Sequence, residues 1–350
     1  MQIAIASLAF AVAALCAGVM GYAIQRGATC TVAAVDEVLT ARTCRRLLSL
    51  LEAAFWVAGG LVVGEALHLL PPLPPGHAIS LWTVIGAALL GLGAYVNGAC
   101  VIGAIARFGS GDWVFIVTPV GFYLGCLSVA PLFGLPEPRP LPYRSPVLGA
   151  SSALVLLFAA FALWRVVRAW RAGDGRLEAR WHQALAARLW SPHAATTVIG
   201  ITFVIMVLLV GAWAYTDVLA ELARGMSAGV AARSVLAIAL LAGAVWGGWT
   251  ARLFRGTPIS APQVGRCLVG GILMGWGSLL LPGGNDGLVL LGMPLAWPYA
   301  WLAFATMCVT IAIAQLAGHA LAKRSEHRRR TRSHGRTKQN ANRFGWRRRR

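Results

Sequence analysis

The sequence predicts an all-α, polytopic membrane protein: a bundle of about nine spanning helices in two related halves that contain broken helices. Hydrophobic residues make up 58% of the 350 residues, charged residues 12%, and the mean hydropathy is +0.68. Ordinary globular chains are about a quarter charged. Apolar stretches of about 20 residues, the length that crosses a hydrocarbon core as a helix, recur along the chain. A glycine-rich motif interrupts an apolar segment in each half.

The spans follow from the apolar stretches in chain order. Seven stretches are uninterrupted, and they cover residues 2–24, 53–70, 112–134, 147–164, 196–214, 231–251 and 296–322. The glycine-rich motifs at 91–103 and 275–287 belong to two more spans, which brings the total to about nine. The first stretch has no basic segment before it, so we predict a spanning helix there and not a cleaved signal peptide.

Basic residues between the spans predict the orientation, because Lys and Arg in short loops stay on the cytoplasmic side. Basic clusters occur at 26–46, 165–188 and 252–266, and in the C-terminal tail, whereas the loop 71–77 has no Lys or Arg. The predicted topology has the N-terminus outside and the C-terminus in the cytoplasm, in a bacterial inner membrane. Only the loop 135–146, with two arginines on the outside, departs from this rule.

The sequence divides into four predicted segments. Residues 1–164 form the first transmembrane half and residues 196–322 the second. Between them, residues 165–195 form a basic cytoplasmic linker with an amphipathic helix at the membrane interface. Residues 323–350 form a disordered polybasic cytoplasmic tail, with 13 Lys and Arg residues and one acid. Such a tail beside a last span favours contact with anionic lipid headgroups, and we do not expect a nucleic-acid partner.

The two halves are related by their glycine-rich motifs. GLGAYVNGACVIG (91–103) aligns without gaps on GWGSLLLPGGNDG (275–287), and this alignment places Cys100 opposite Gly284. Transporters are often built from two repeats, but the alignment alone leaves open whether these are parallel or inverted.

Each motif contains a string of small and polar residues, NGAC (97–100) and PGGND (282–286). Broken helix is tolerated in a membrane where it lines a cavity or is buried by protein. It also directs free N–H groups and a positive helix end into the gap, which suits an anion. The alternative is close helix packing through small residues, as in GxxxG contacts.

The candidate residues of a substrate path are two motif cysteines, their small and polar neighbours, and basic residues at the ends of spans. They are Cys30, Cys100, Asn97, Gln25, Arg26, Arg107, Gly98, Gly283, Gly284, Asn285 and Asp286. A thiol is a soft, weak donor that can meet a sulfur-bearing ligand without the cost of dehydrating a charge.

Three of these side chains carry charge and have alternative roles. Arg26 and Arg107 either supply positive potential at a pore mouth or reach toward lipid headgroups. Asp286 either caps the helix that follows it or repels an anion. We find no nucleotide-binding, catalytic or metal-ligand motif, and the seven cysteines have no CxxC spacing. The sequence therefore predicts no enzyme activity, no catalytic residue, no metal site and no cofactor.

Three strings resemble the YeeE/YedE family of sulfur-transport membrane proteins. They are GYAIQRGATC (21–30), GLGAYVNGACVIGAIARFGSGDW (91–113) and VGRCLVGGILMGWGSLLLPGGNDG (264–287). The resemblance covers most of residues 1–322 and implies a permease for a small inorganic sulfur anion of the thiosulfate type. It further implies that motif cysteines pass the anion along by S–H contacts. A TusA-like sulfur-carrier protein on the cytoplasmic side is an expected partner.

Cys30 and Cys100 match two of the family's motif cysteines, but Gly284 stands where the second-half cysteine is expected. Cys267 lies upstream of that position, and Asn285 is a possible hydrogen-bonding replacement. Two other functions stay open. One is a membrane scaffold or assembly protein that recruits a cytoplasmic partner, and the other is transport of a different solute, such as a selenium or sulfite species, or an ion coupled through Asp286.

Overall fold

The computed structural model is helical and describes residues 7–134, 136–149, 152–171, 188–225, 229–254, 256–281 and 283–345. The first half contains α1 (Leu8–Gly27), α2 (Thr31–Thr40), α3 (Arg45–Ala66), α4 (Leu81–Asn97), α5 (Val101–Gly109), α6 (Val117–Phe133) and α7 (Ser152–Arg171). The second half contains α8 (Pro192–Val210), α9 (Tyr215–Ala223), α10 (Val230–Thr250), α11 (Ala261–Leu280), α12 (Asn285–Gly287) and α13 (Pro298–Gly345). A π-helical turn, Leu288–Gly292, extends α12.

Among the described residues, seven helical segments are long and apolar enough to cross a membrane, and the bent pair α11–α12 makes an eighth. The pairs α1–α2 and α4–α5 each count as one such segment. The prediction of a polytopic helical bundle is confirmed, and the count of about nine was approximate. The difference is α7, whose apolar part, Ala153–Arg165, is shorter than the others.

Two of the predicted segments, the linker and the tail, can be compared with the structure only in part. The linker at 165–195 begins inside α7, and its residues 172–187, where the amphipathic helix was expected, lie outside the described residues. The chain after residue 323 is described as a continuation of α13 to Gly345, where the sequence predicted disorder. Residues 323–345 include seven arginines, and arginine has high helix propensity. Residues 1–311 form one compact unit and residues 312–350 another.

The repeat extends over much more of the chain than its two motifs. Gly275 follows Gly91 by 184 residues, and the same shift brings α1 into register with α8, α2 with α9 and α3 with α10. It also brings α4 into register with α11 and the start of α5 with the start of α12. Each half therefore has the same order of long helices, short helices and breaks.

Equivalent helices of the two halves run antiparallel. Gly86 of α4 lies against Gly277 of α11, and Gly93 of the same helix lies against Gly270. A Cβ at Gly86 would stand 2.8 Å from the Gly277 carbonyl oxygen, so this crossing requires a residue without a side chain. Gly27 at the end of α1 likewise packs against Ala195 near the start of α8. The halves are inverted, which the sequence left open.

The two ends of the bundle differ. At one end, the breaks at 28–30 and 98–100 lie in the first half, and we call them together the first-half break. At the other end, the corresponding second-half break comprises 211–214 and 281–284. The second end is closed by loops that pair with each other, because His77 forms a bridge with Pro140 and Ser145 bonds the Leu295 carbonyl.

Candidate functional site

The first-half break ends in a cysteine on each of its two chain segments. Ala28 adopts a left-handed conformation (φ 46°) that terminates α1, and Gly98 (φ 78°) terminates α4 in the same way. Cys30 is then the N-cap of α2, and Cys100 is the N-cap of α5. Both thiols therefore lie at the positive end of a short helix.

These two cysteines meet, although they are 70 residues apart in the chain. Cys100 Sγ lies 3.8 Å from Cys30 Sγ, and Cys100 is 1% exposed. The backbone N–H groups of Thr31 and Gly103 donate to Cys100 Sγ at 3.3 and 3.4 Å. Gly103 leaves the room for this contact, because a Cβ there would stand 2.4 Å from Cys30 Sγ.

Asn97 fixes the shape of the first-half break. Its amide nitrogen donates to the Ala99 carbonyl at 2.7 Å, and its amide oxygen accepts from Thr118 Oγ1 at 2.9 Å. Asn97 is buried, so these bonds form away from bulk water. The structure brings Asn97 and Gly98 next to Cys100, and it uses the Asn97 side chain to hold α4 against α6.

Gln25 and Arg26 join the end of α1 to neighbouring segments. Gln25 donates to Ser110 Oγ at 3.2 Å, and Arg26 donates to Thr250 Oγ1 at 2.9 Å. The Arg26 guanidinium also stacks over the ring of Tyr22, 4.9 Å from its centroid. Arg26 is 2% exposed, so its side chain does not extend toward headgroups as snorkelling requires.

Arg107 lies at the same end of the bundle but on its surface. Its guanidinium stands 5.3 Å from the ring centroid of Phe115, and its side chain is exposed. Phe115 belongs to a buried cluster against which Cys30 packs. Arg107 therefore places a positive charge beside the residues that cover the thiol pair.

The second-half break has a different composition. Gly283 adopts φ 115°, and Pro282 before it lies outside the described residues. Gly284, at the position equivalent to Cys100, packs against Thr216, and a Cβ there would stand 2.2 Å from Thr216 Oγ1. Thr216 therefore fills the space that a cysteine side chain at 284 would need.

Asp286 binds the start of α9. Its carboxylate accepts the backbone N–H of Thr216 at 3.1 Å and also the Thr216 hydroxyl. Asp286 lies in the first turn of α12, whose N-cap residue is Gly284, and the capping role considered for Asp286 stays a prediction. Asn285 beside it is fully buried, and neither atom of its amide has a hydrogen-bond partner among the described residues.

A small cavity lies between the two breaks, and we call it the central cavity. Its volume is about 20 Å³. Thr29 and Ile102, within two residues of the cysteines, line it from the first half, and Tyr215 and Asp286 line it from the second. Neither cysteine is part of its wall. A cavity of this size holds about one water molecule.

A larger cavity of about 670 Å³ occupies the end of the bundle at the second-half break, and we call it the vestibule. Its wall includes Thr216, Gly283 and Gly284, and its charged residues include Asp217 and Arg224. Thr216 therefore separates the vestibule from Asp286 and the central cavity behind it.

Two residues that matter for these breaks were missed or dismissed at the level of sequence. Cys267 of α11 is fully buried in the same cluster as Ala99, against which Cys30 packs, although it had no obvious role. Thr216 was not singled out, yet it contacts both Gly284 and Asp286. The repeat carried a signal for it, because a shift of 184 residues places the start of α9 on the segment after Cys30.

A family model described as sulphur transport matches residues 26–313 of the chain. This range contains both breaks, the vestibule and most residues of the central cavity wall, and it stops before the polybasic tail. No curated protein matches the chain.

Proposed function

Since the chain belongs to the sulphur transport family, the YeeE/YedE family that its motifs resemble, we propose that it carries a thiosulfate-type anion across a bacterial inner membrane. The family match and the helical membrane bundle support a sulfur transporter in general. What we propose beyond this is the identity of the substrate and the path that it takes through the bundle.

One observation carries this proposal: the contact between Cys30 and Cys100 at the breaks of two spans. Two thiols 3.8 Å apart in a buried setting offer adjacent S–H donors to one small anion. Neutral donors of this kind bind weakly, so the anion can also leave. A purely structural pair of cysteines would not need two chain breaks to meet.

The breaks supply the charge complementarity. Cys30 and Cys100 cap the N-termini of α2 and α5, where backbone N–H groups and the helix dipole favour a negative ligand. Gln25, Arg26 and Asn97 fix the chain next to these helix starts through the hydrogen bonds described above, and Gly98 permits the turn before Cys100. Arg107 adds positive potential at the exit.

The proposed path leads from the vestibule past Gly283, Gly284, Asn285 and Asp286 into the central cavity. It continues past Thr29 to the thiol pair. The central cavity, at about 20 Å³, has room for about one water molecule and not for a thiosulfate ion. The structure therefore corresponds to an occluded state, and transport requires the inverted halves to move relative to each other.

The two ends of the path face opposite sides of the membrane in this proposal. Basic residues concentrate at the end of the first-half break, which supports a cytoplasmic position for that end. A TusA-like sulfur carrier would receive the anion there. The vestibule faces outside, and the driving force is an ion gradient or consumption of the anion in the cytoplasm.

Replacement of one thiol tests the proposal. We expect Cys100→Ala to abolish growth on thiosulfate as the sulfur source in a bacterial strain that has no other uptake system for it. The change removes one of the two adjacent donors and the acceptor for the Thr31 and Gly103 N–H groups. Growth rescue is compared at equal amounts of protein in the membrane.

The matched control is Cys16→Ala, because Cys16 is also a buried cysteine but lies within α1, away from both breaks. This variant should support growth like the unmodified chain. Unchanged growth of the Cys100→Ala strain would remove the thiol pair from the mechanism.

A further inference from the structure

The second-half break holds a carboxylate where the first-half break holds a thiol. In the first half, the Thr31 N–H at the start of α2 donates to Cys100. In the second half, the Thr216 N–H at the start of α9, the helix equivalent to α2, donates to Asp286. Both helix starts suit a negatively charged group, since α2 and α9 have 10 and 9 residues and direct backbone N–H groups and the positive end of the helix dipole toward the group bound there. The second is already occupied by the protein's own anion.

We propose that Asp286 is a proton-binding site and that a proton on Asp286 is carried inward together with the sulfur anion. This inference rests on the proposed transport function and adds the coupling ion to it. In its charged form the carboxylate occupies the donors of Thr216 and repels an incoming anion. A proton removes that charge, frees the Thr216 N–H for the substrate and lets the anion pass the second-half break.

The surroundings of Asp286 favour this role. It is 5% exposed, and no salt bridge to it is formed within the described part of the chain. A carboxylate in a spanning segment without a cation is costly and is usually functional. The adjoining Asn285 amide, fully buried without a hydrogen-bond partner among described residues, is a second polar group available to a ligand at this break.

The ionisable groups that face Asp286 are few. Tyr215 is the other ionisable side chain in the described wall of the central cavity, to which α1, α3, α5, α8 and α10 contribute apolar or hydroxyl groups. The acids of α9 are Asp217 and Glu221, and Glu221 is paired with Arg233 of α10. The charged residue of α5, Arg107, is exposed beyond the first-half break.

Protons have a route to Asp286 from the vestibule. Asp217 lies in the vestibule wall, one residue after Thr216, and outside the candidate spans. Burial raises the pKa of Asp217 to about 7, and the negative charges of Asp286 and Glu221 raise it too. Asp217 can therefore take up a proton from the vestibule near neutral pH and pass it toward Thr216 and Asp286.

The experiment uses the full chain in liposomes with the membrane potential clamped by potassium and valinomycin. Labelled thiosulfate uptake and internal pH are recorded together, with and without an acidic exterior. For each proton coupled, a gradient of one pH unit should support up to about tenfold more accumulation, with acidification of the interior. Asp286→Asn should lose both the pH-gradient effect and the thiosulfate-dependent proton flux.

Asp112→Asn is the matched control, because Asp112 is a carboxylate at the opposite end that bonds Thr257. It should respond to the gradient like the unmodified chain. A second readout needs no variant: a hydrophobic carbodiimide, which reacts with protonated carboxyl groups, should label Asp286, less at higher pH, as found by peptide mass spectrometry.

The outcomes separate this inference from the proposed function. If thiosulfate uptake by the unmodified chain does not depend on the pH gradient, proton coupling is overturned but the transport function is not. If the effect of the pH gradient persists in Asp286→Asn, Asp286 is not the proton site. Absence of carbodiimide labelling at Asp286 at every pH overturns the assignment as well. Absence of uptake under all gradients overturns both proposals.

Discussion

At the scale of single residues, the thiol pair depends on a neighbour that has no side chain. Cys30 Sγ occupies the space where a Cβ at position 103 would lie, at a distance of 2.4 Å. This distance is far inside van der Waals contact. Position 103 therefore decides whether Cys30 can reach Cys100, independently of any chemistry of the thiols themselves.

We expect Gly103→Ala to displace Cys30 from Cys100, to destabilise the protein by about 1–3 kcal/mol as overpacking does, and to lower thiosulfate uptake severalfold. Thermal unfolding in detergent and uptake into liposomes measure the two effects. Gly265→Ala is the control, because a Cβ there meets no atom within 4 Å in the same kind of helical setting. Equal behaviour of the two variants would contradict the packing described for Cys30.

At the scale of elements, the break between α4 and α5 is held by a side chain and not by glycine alone. Gly98 permits the turn through its positive φ of 78°, but it supplies no bond. Asn97 bridges the Ala99 carbonyl and the hydroxyl of Thr118, which belongs to α6. The shape of the break is therefore coupled to the packing of a neighbouring span.

Asn97→Ala should destabilise the protein by about 1–3 kcal/mol, because it leaves a buried carbonyl and a buried hydroxyl without their partner. Thr118→Val should cost less, and the double variant should cost about as much as Asn97→Ala alone, as a shared interaction requires. Chemical unfolding in detergent gives the free energies. Thr202→Val, whose hydroxyl bonds the carbonyls of its own helix, is the control and should not couple to Asn97. If the changes in the free energy of unfolding for Asn97→Ala and Thr118→Val add fully in the double variant, the result contradicts a bridge between the two side chains.

At the scale of the whole molecule, two inverted halves of the same plan carry different chemistry at their breaks. The first has Cys30 and Cys100, and the second has Thr216, Gly284 and Asp286. An inverted repeat permits two states in which the halves exchange roles. The difference between the breaks makes those states chemically unequal.

The polybasic tail lies outside this arrangement. The compact unit that contains both breaks ends at Ile311, and the family match ends at residue 313. We expect a chain truncated after Lys323 to take up thiosulfate in liposomes at a rate similar to that of the full chain. Loss of uptake by a truncated protein that still inserts would favour the alternative of a scaffold whose tail recruits a partner.

The sequence by itself determined the membrane class, the approximate positions of the spans, the sulfur-transport family and the places where spans are broken. These features depend on local composition, since apolar length and runs of glycine act within one segment. It also marked Cys30, Cys100 and Asp286 as unusual polar groups in apolar surroundings. Its count of about nine spans was approximate for the same local reason, since the apolar part of α7 is shorter than the other candidate spans.

Only the tertiary structure decided which of these groups meet. The contact between Cys30 and Cys100, the bridge from Asn97 to Thr118, the burial of Arg26 and the bond from Thr216 to Asp286 all join distant parts of the chain. The inverted orientation of the halves is of the same kind. Such contacts depend on how closely whole helices approach, which glycines such as Gly86 and Gly277 set through shape, and no local pattern encodes that distance.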